Sequence, residues 1–246
     1  MNSAAKSFCF DLEGITSRLP AEPTERLPGF WNLPQSKPTV AVLYFNNSVL
    51  GKDNEAMQPL SKGLADLLIN NLSGNAGIRV VERDRIQAVL DEQKLAADGK
   101  LDPATSVRVG KIVGAHHMVT GTFVSELNKP TLKITIRVFN TETSEIEARA
   151  EATGTTAAIL PLIDKVSAEL NKNLKLPEIP AQAREEHAAA AKKQEKVPYQ
   201  AVMLYSRALD EKDHGNKDKA ITLFKQAVSA FPDYDAPKAE LKKLGA

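Results

Sequence analysis

The sequence predicts an α/β fold in which a mixed β-sheet and helices form a sandwich, followed by an α-helical hairpin. A nearly all-apolar run at residues 40–45 is typical of a central strand that is covered on both faces. Apolar residues then recur at three- and four-residue steps, as they do on one side of a helix. They are Leu60, Leu64, Leu67, Leu68 and Leu72. Strand and helix patterns continue to alternate as far as residue 174.

The next elements begin and end at recognisable signals. Residues 78–81 form a second strand, and Asp84 is expected to cap the following helix, with Gln87 in the capping-box position. Asp102 before Pro103 marks the start of a third helix, which ends near Gly114.

Three strands and a last helix complete the predicted domain. The first strand covers residues 117–125, and in the second, apolar residues from Leu132 to Val138 alternate with polar ones. Residues 140–144 turn into the third strand, and residues 159–174 form an amphipathic helix. The element order is therefore β-α-β-α-α-β-β-β-α. The predicted core residues are Val42, Leu64, Leu68, Val80, Ile86, Val119 and Ile163.

Composition divides the chain into four parts. Residues 1–38 form a Pro-rich lead-in, and residues 39–176 form the α/β domain. Residues 177–198 contain an Ala- and charge-rich run between prolines and are interpreted as a linker with a spacer helix. Residues 199–246 form the helical hairpin.

The pattern over residues 39–124 resembles the CsgG family, which includes the curli assembly and transport component of the bacterial cell envelope. The words that carry the resemblance are "FNN", "VVERDRIQAVLDEQKL", "GKIVGA" and "VTGTFV", in this order. The resemblance implies a protein that binds and assembles rather than catalyses. It departs from the pore-forming member, which inserts two hairpins into the membrane, because residues 119–153 carry charges along one whole face. The chain thus resembles the core of the family without the pore hairpins.

A second resemblance lies near the C-terminus. Residues 220–227, followed by Phe231 and Pro232, resemble the second helix of a tetratricopeptide repeat (TPR). The first helix departs from that pattern at Arg207 and Glu211, where large apolar side chains are usual.

One face of that first helix is the predicted partner-binding site. It carries Val202, Tyr205 and Leu209 at three- and four-residue spacing. A single repeat cannot bury its own face. The face must therefore be covered by a partner, by a second subunit or by the α/β domain, and packing on the domain or a subunit is favoured.

Composition restricts partners and location. The formal net charge is +1, and no basic stripe with aromatics is present, so nucleic acid is not an expected partner. No run of eighteen apolar residues occurs, so no membrane-spanning segment is expected. The first residues lack an apolar signal region, and Cys9 lies in no lipobox. Either a cytoplasmic protein or an envelope protein numbered from its mature or truncated start is compatible, and the CsgG resemblance favours the periplasm or the outer membrane.

Few residues are candidates for chemistry, and we expect no catalytic, cofactor or metal site. His116 and His117 are adjacent, so on a strand they point to opposite faces and chelate one ion poorly. Glu82, Arg83 and Asp84 are interpreted as structural, with Arg83 pairing with a carboxylate or helix-end carbonyls.

These observations predict a non-enzymatic envelope protein of the CsgG type. It would bind protein partners, associate with itself, and take part in curli-like secretion or outer-membrane assembly. Two alternatives stay open: a regulatory activator of a cell-wall synthase, and a small hydrolase on the same α/β frame.

Overall fold

The computed structural model describes residues 37–51, 53–95, 102–125, 130–174 and 196–246, together with Leu176, Glu185, Ala189 and Lys192. Contacts divide the chain into two compact units, Met1–Ser36 and Lys37–Ala246. The first unit, with most of the predicted lead-in, lies outside the described residues, as does most of the predicted linker. The second unit is described below.

A mixed sheet forms the centre of this unit. The strands are β1 (Thr39–Val42), β2 (Asn46–Asn47), β3 (Arg79–Val80), β4 (His117–Ser125), β5 (Thr131–Asn140) and β6 (Ile146–Thr155). Their order is β3-β1-β4-β5-β6, and β2 pairs with β4 beyond the end of β1. Strand β1 is parallel to β3 and β4, whereas β4, β5 and β6 are antiparallel. The predicted mixed α/β class is confirmed.

Helices cover the sheet and then continue beyond it. They are α1 (Asp53–Met57), α2 (Leu60–Ser73), α3 (Arg83–Glu92), α4 (Pro103–Val113), α5 (Ile159–Asn173), α6 (Tyr199–Asp213), α7 (Lys217–Ala230) and α8 (Asp235–Leu244). The last three follow the α/β domain as a helical region. Among the described residues, no helix combines the length and apolar character that crossing a membrane requires.

Alternation along β1 sends side chains into two separate cores. Val40 and Val42 join the core formed with α2, α5 and the last three helices. Ala41 and Leu43 join the core formed with α3 and α4. At β1 the sheet is therefore covered on both faces, which explains why all four residues of this strand are buried and three of them are apolar.

Most of the antiparallel half of the sheet is covered on one face only, although Met118 and Phe139 join the core formed with α3 and α4. Apolar residues of β5 are buried towards α5, whereas Lys133 and Arg137 between them are exposed. Strand β6 buries only the small side chains Ala148, Ala150 and Ala152. Helix α5 comes so close there that a Cβ atom on Gly154 would lie 2.9 Å from Leu162 Cδ2.

The first strand is shorter than predicted. Strand β1 ends at Val42. The Leu43 N–H still donates to the Val119 carbonyl at 2.9 Å, but the Phe45 N–H donates to the Ser61 carbonyl at 3.1 Å instead of joining the sheet. The Phe45 ring lies over Gly121, where a Cβ atom would be 2.3 Å from the ring carbons. Only glycine fits at that position of β4.

Six of the seven predicted core residues are confirmed as buried: Val42, Leu64, Leu68, Ile86, Val119 and Ile163. The prediction for Val80 is wrong, because this residue is half-buried in the short edge strand β3. Its flanking neighbours Ile78 and Val81 are the buried ones. The start of α4 is confirmed: Asp102 Oδ1 accepts the Thr105 N–H at 2.7 Å, with Pro103 in the first turn.

We predict that Leu68→Ala lowers the free energy of unfolding by about 2–5 kcal/mol, the range for a fully buried leucine. Urea denaturation of the full chain measures the change. Leu50→Ala is the matched control, since Leu50 is 69% exposed and should change stability by no more than about 0.5 kcal/mol. Equal effects of the two variants would contradict the assigned inner face of α2.

Candidate functional site

The predicted partner-binding face lies inside the protein. Val202, Tyr205 and Leu209 are at most 1% exposed, and the same core contains α2 and α5. Helices α6 and α2 cross in close contact, since a Cβ atom on Gly63 would lie 1.9 Å from Ser206 Oγ. The chain's own helices thus cover this face, and its role in binding a partner stays a prediction.

Aromatic side chains extend the same contact into the last helices. The Tyr205 ring lies 5.7 Å from that of Phe224 and 5.5 Å from that of Tyr234, measured between centroids. Gly215 makes the turn between α6 and α7 with φ of +78°, a conformation that favours glycine. The helical hairpin is present, and its assignment as a TPR-like repeat stays a prediction.

Charged and phenolic side chains gather where α2 and α3 meet α6 and α8. We call this set the junction cluster. Its members are Tyr44, Lys62, Asp66, Arg83, Asp84, Tyr205, Asp210, Lys212, Asp213, Glu240 and Lys243. The cluster joins residues up to 40 positions before Arg83 with residues more than 120 positions after it.

Arg83 is the centre of the junction cluster. Arg83 is 3% exposed, and its Nη1 donates to both carboxylate oxygens of Asp213 at 2.8 Å. Nη2 donates to Asp84 Oδ1 at 2.9 Å, and Nε lies 3.5 Å from Asp66 Oδ1. Burial alone would lower the pKa of Arg83, but the neighbouring Asp213, Tyr44 and Asp66 raise it above its ordinary value. The predicted pairing of Arg83 with a carboxylate is confirmed.

Asp66 is the second buried carboxylate of the cluster. It accepts a short hydrogen bond from the Tyr205 hydroxyl of α6. Burial raises the pKa of Asp66, while the bond from Tyr205 and the charge of Arg83 oppose that rise. Burial also raises the pKa of Tyr205, and Asp66 adds to the effect, so the hydroxyl keeps its proton and acts as donor.

Tyr44 and Lys62 close the cluster on the side of β1. The Tyr44 hydroxyl accepts from Arg83 Nη1 at 3.3 Å and donates a short bond to Gln87 Oε1. Lys62 Nζ lies 2.8 Å from Asp210 and 3.0 Å from Asp213, and 5.6 Å from the centroid of the Tyr44 ring. Burial, followed by the charge of Asp213, raises the pKa of Tyr44.

An outer layer of ion pairs ties α8 to α3. Lys212 Nζ contacts Asp84 at 3.0 Å and Glu240 at 2.8 Å, and Lys243 donates to Glu240 at 2.8 Å. The predicted cap at Asp84 is wrong, because α3 begins after Glu82 without a side-chain cap bond. The carboxylate of Asp84 is turned towards Arg83 and Lys212, with which it makes charge-assisted hydrogen bonds.

The histidine pair has local structural contacts. His116 Nδ1 accepts the Thr39 N–H at 3.1 Å at the end of β1. His117 begins β4 and makes a short contact from Nδ1 to Glu147 Oε1. Across the described residues, no group of three or more metal-binding side chains is close enough to hold an ion.

Sequence reasoning missed most of the junction cluster. Asp66 gave one usable signal, because it is an acidic residue among the leucines of the apolar stripe of α2. Asp213, Lys212 and Glu240 gave none, since charges near helix ends are ordinary on exposed surfaces.

Comparison with known proteins gives one match to a family. The family described as the curli production assembly/transport component CsgG matches residues 30–129, which is 100 of the 246 residues. The matched segment contains α2 and α3, and thus Asp66 and Arg83, and ends before α6. No curated protein sequence matches this chain.

Several solved structures are similar to parts of the chain. The LpoB C-terminal domain from Salmonella enterica is 13% identical and matches 49% of this chain and 84% of its own, with a TM-score of 0.36. Lipoprotein GNA1162 from Neisseria meningitidis is 14% identical, covering 48% and 79%, with a TM-score of 0.36. The PelC dodecamer from Paraburkholderia phytofirmans is 10% identical, covering 58% and 90%, with a TM-score of 0.35.

We predict that Arg83→Met lowers the free energy of unfolding by about 3–5 kcal/mol, because Asp66 loses its buried cation and Asp213 keeps only Lys62. Chemical denaturation measures the change. Arg85→Met is the control: Arg85 lies in the same motif but is exposed, and should cost no more than about 0.5 kcal/mol. If both variants are equally stable, the junction cluster does not hold the helices together.

The pH dependence of stability should report on Glu240. Burial would raise the pKa of Glu240, but the hydrogen bonds from Lys212 and Lys243 lower it below its ordinary value of 4.5. A carboxyl whose pKa is lower in the folded state stabilises above its unfolded pKa and loses that contribution as the pH falls through its folded pKa. The stability difference between the wild type and Glu240→Gln should therefore be largest above pH 4.5 and shrink below it.

Denaturation midpoints measured from neutral pH downward give this difference directly. Glu142→Gln is the control, since Glu142 is exposed in the turn before β6. A difference between the wild type and Glu240→Gln that stays constant into acid would contradict the assigned role of Lys212 and Lys243.

Proposed function

We propose that this chain is a non-enzymatic binding and assembly protein of the bacterial cell envelope, of the CsgG type. The observation that carries the proposal is the match of residues 30–129 to the curli production assembly/transport component family. The match covers the sheet from β1 to β4 with helices α1 to α4. The finer proposal is a role in curli-like secretion or outer-membrane assembly, at the periplasmic side or at the outer membrane.

The surroundings of the titratable groups whose pKa values are shifted favour a binding protein over an enzyme. Arg83, Asp66 and Tyr205 have shifted pKa values, which in an enzyme would mark candidates for proton transfer. Here they are buried and bonded to one another between packed helices. A general acid or base needs a substrate atom within hydrogen-bond reach. The shifts are therefore assigned to holding α6 in place.

The last three helices are proposed as the docking element. With α6 fixed on α2, helices α7 and α8 turn charged sides outwards, for example at Lys225 of α7 and Lys238 of α8. These outer sides are the accessible surface of the TPR-like region. Binding through Val202, Tyr205 and Leu209 themselves would require α6 to leave α2, which would break the Arg83–Asp213 pair.

We predict that the full chain, expressed in a bacterial host and cross-linked in cells, is recovered from the envelope fraction with a reproducible set of protein partners. Arg83→Met should lose these cross-links, because it releases the helices from the domain, whereas Arg85→Met should keep them. Mass spectrometry of the cross-linked species identifies the partners, and sedimentation of the purified chain measures self-association.

Recovery of the chain only as an uncross-linked monomer would overturn the proposal. A cell-wall synthase as the main cross-linked partner would favour the regulatory activator. Hydrolysis of a model ester or peptide by the purified chain would favour the hydrolase. Loss of cross-links in both arginine variants would separate partner capture from the junction cluster.

A further inference from the structure

A row of polar side chains crosses the sheet on the face opposite α2 and α5. Thr120 of β4 pairs with Arg137 of β5, and Arg137 pairs in turn with Arg149 of β6. Residues paired directly across antiparallel strands point to the same face. We call Thr120, Arg137 and Arg149 the arginine row. In the next row, Thr122 faces Thr135.

Two arginines stand side by side in this row without a counterion. Directly opposed like charges destabilise a sheet unless an anion compensates them. The nearby carboxylates are engaged elsewhere: Glu151 pairs with Lys133 at 3.0 Å, and Glu147 contacts His117 and Asn140.

Within the described part of the chain, neither guanidinium has an ion pair or a hydrogen bond. At Arg149 the backbone carbonyl, not the guanidinium, accepts a hydrogen bond from the Asn173 side chain at 2.7 Å. Both side chains are exposed and can therefore reach a ligand.

A cavity of about 110 Å³ opens beside Arg137, between the sheet and the first turn of α4. Pro103 and Phe139 form its apolar side. Ser106 Oγ donates to the Asp102 carbonyl. Among the described residues, the side chains of Asn46, Thr122 and Thr135 make no hydrogen bond. The polar lining is Asn46, Ser106, Thr120, Thr122, Thr135 and Arg137.

We propose that this cavity binds a small oxyanion, a carboxylate or a phosphate group, with Arg137 as its anchor. The guanidinium donates in a planar fork that matches two oxygens of either group, and charge-assisted bonds of this kind are the strong ones. Hydroxyls of Thr122 and Thr135 and the amide of Asn46 supply further donors around the same volume. Arg149 adds a second positive charge next to Arg137.

This site is independent of the function proposed above. The cavity is lined by residues of β2, β4, β5 and α4, with Arg149 of β6 next to Arg137, and no residue of the junction cluster or of the last three helices lines it. The failure of one proposal would leave the other standing.

The test is a two-dimensional proton–nitrogen NMR titration of the full chain with sodium acetate and, separately, with sodium phosphate. Sodium chloride keeps the ionic strength constant. The Arg137 Nε–H and the backbone amides of Thr122 and Thr135 should shift and saturate, with a dissociation constant below about 10 mM. Arg137→Gln should weaken binding by at least about tenfold.

Lys133→Gln is the matched control, because Lys133 lies on the same strand and face but is paired with Glu151. It should change the dissociation constant by no more than about twofold. Thr122→Val keeps the shape and removes one hydroxyl, and should weaken binding by about threefold if Arg137→Gln does not fold.

Every result of the titration either supports or contradicts the proposed oxyanion site. Saturation with acetate alone identifies a carboxylate site, saturation with phosphate alone identifies a phosphate site, and saturation with both identifies a general oxyanion site. Shifts that rise linearly with either anion, that persist in Arg137→Gln, or that fall equally in Lys133→Gln would overturn the proposal.

Discussion

The buried pair of Arg83 and Asp213 is the interaction on which the arrangement of this protein depends. Both side chains are at most 5% exposed, so each loses its hydration on folding. Such a loss is compensated only when the partner and further hydrogen bonds are in place, and here Asp66, Asp84 and Tyr44 supply them. A pair of this kind adds little net stability. We infer that its effect is to specify one position of α6 on α2, while apolar packing supplies the free energy.

The packing of α6 on α2 is close enough to allow only one position of the two helices. Gly63 and Ser206 approach so near that no side chain larger than a hydrogen atom fits between the helices. The rings of Tyr205, Phe224 and Tyr234 then join α6 to the two helices after it. Arg83 and Asp66 lie in the segment that matches the CsgG family, and their partners Asp213 and Tyr205 lie beyond it. A motif within the matched domain therefore positions a region outside it.

Much of this fold could be predicted from the sequence, because it depends on interactions between residues that are close along the chain. The apolar steps of α2, the alternation in β5 and the cap at Asp102 depend on residues only a few positions apart. The sequence-based predictions were wrong where residues far apart in the chain determine the local structure. The sequence predicts a cap at Asp84, but helix α3 already begins at Arg83, and the Asp84 carboxylate pairs with Lys212, which is 128 residues away. The first strand ends early because Ser61 takes the Phe45 N–H. The junction cluster joins α3 to α6 across 130 residues, a distance that no local pattern encodes.

This distance has a consequence for synthesis on the ribosome. When α2 and α3 emerge, the carboxylate of Asp213 has not yet been made, and the Gly63 side of α2 has no helix against it. Until α6 has left the ribosome, the nascent domain would hold Arg83 without Asp213 and an apolar groove beside Gly63 that no helix covers. Folding intermediates that expose apolar surface are prone to aggregation and are bound by chaperones. The arrival of α6 is thus the step that covers this surface and completes the junction cluster.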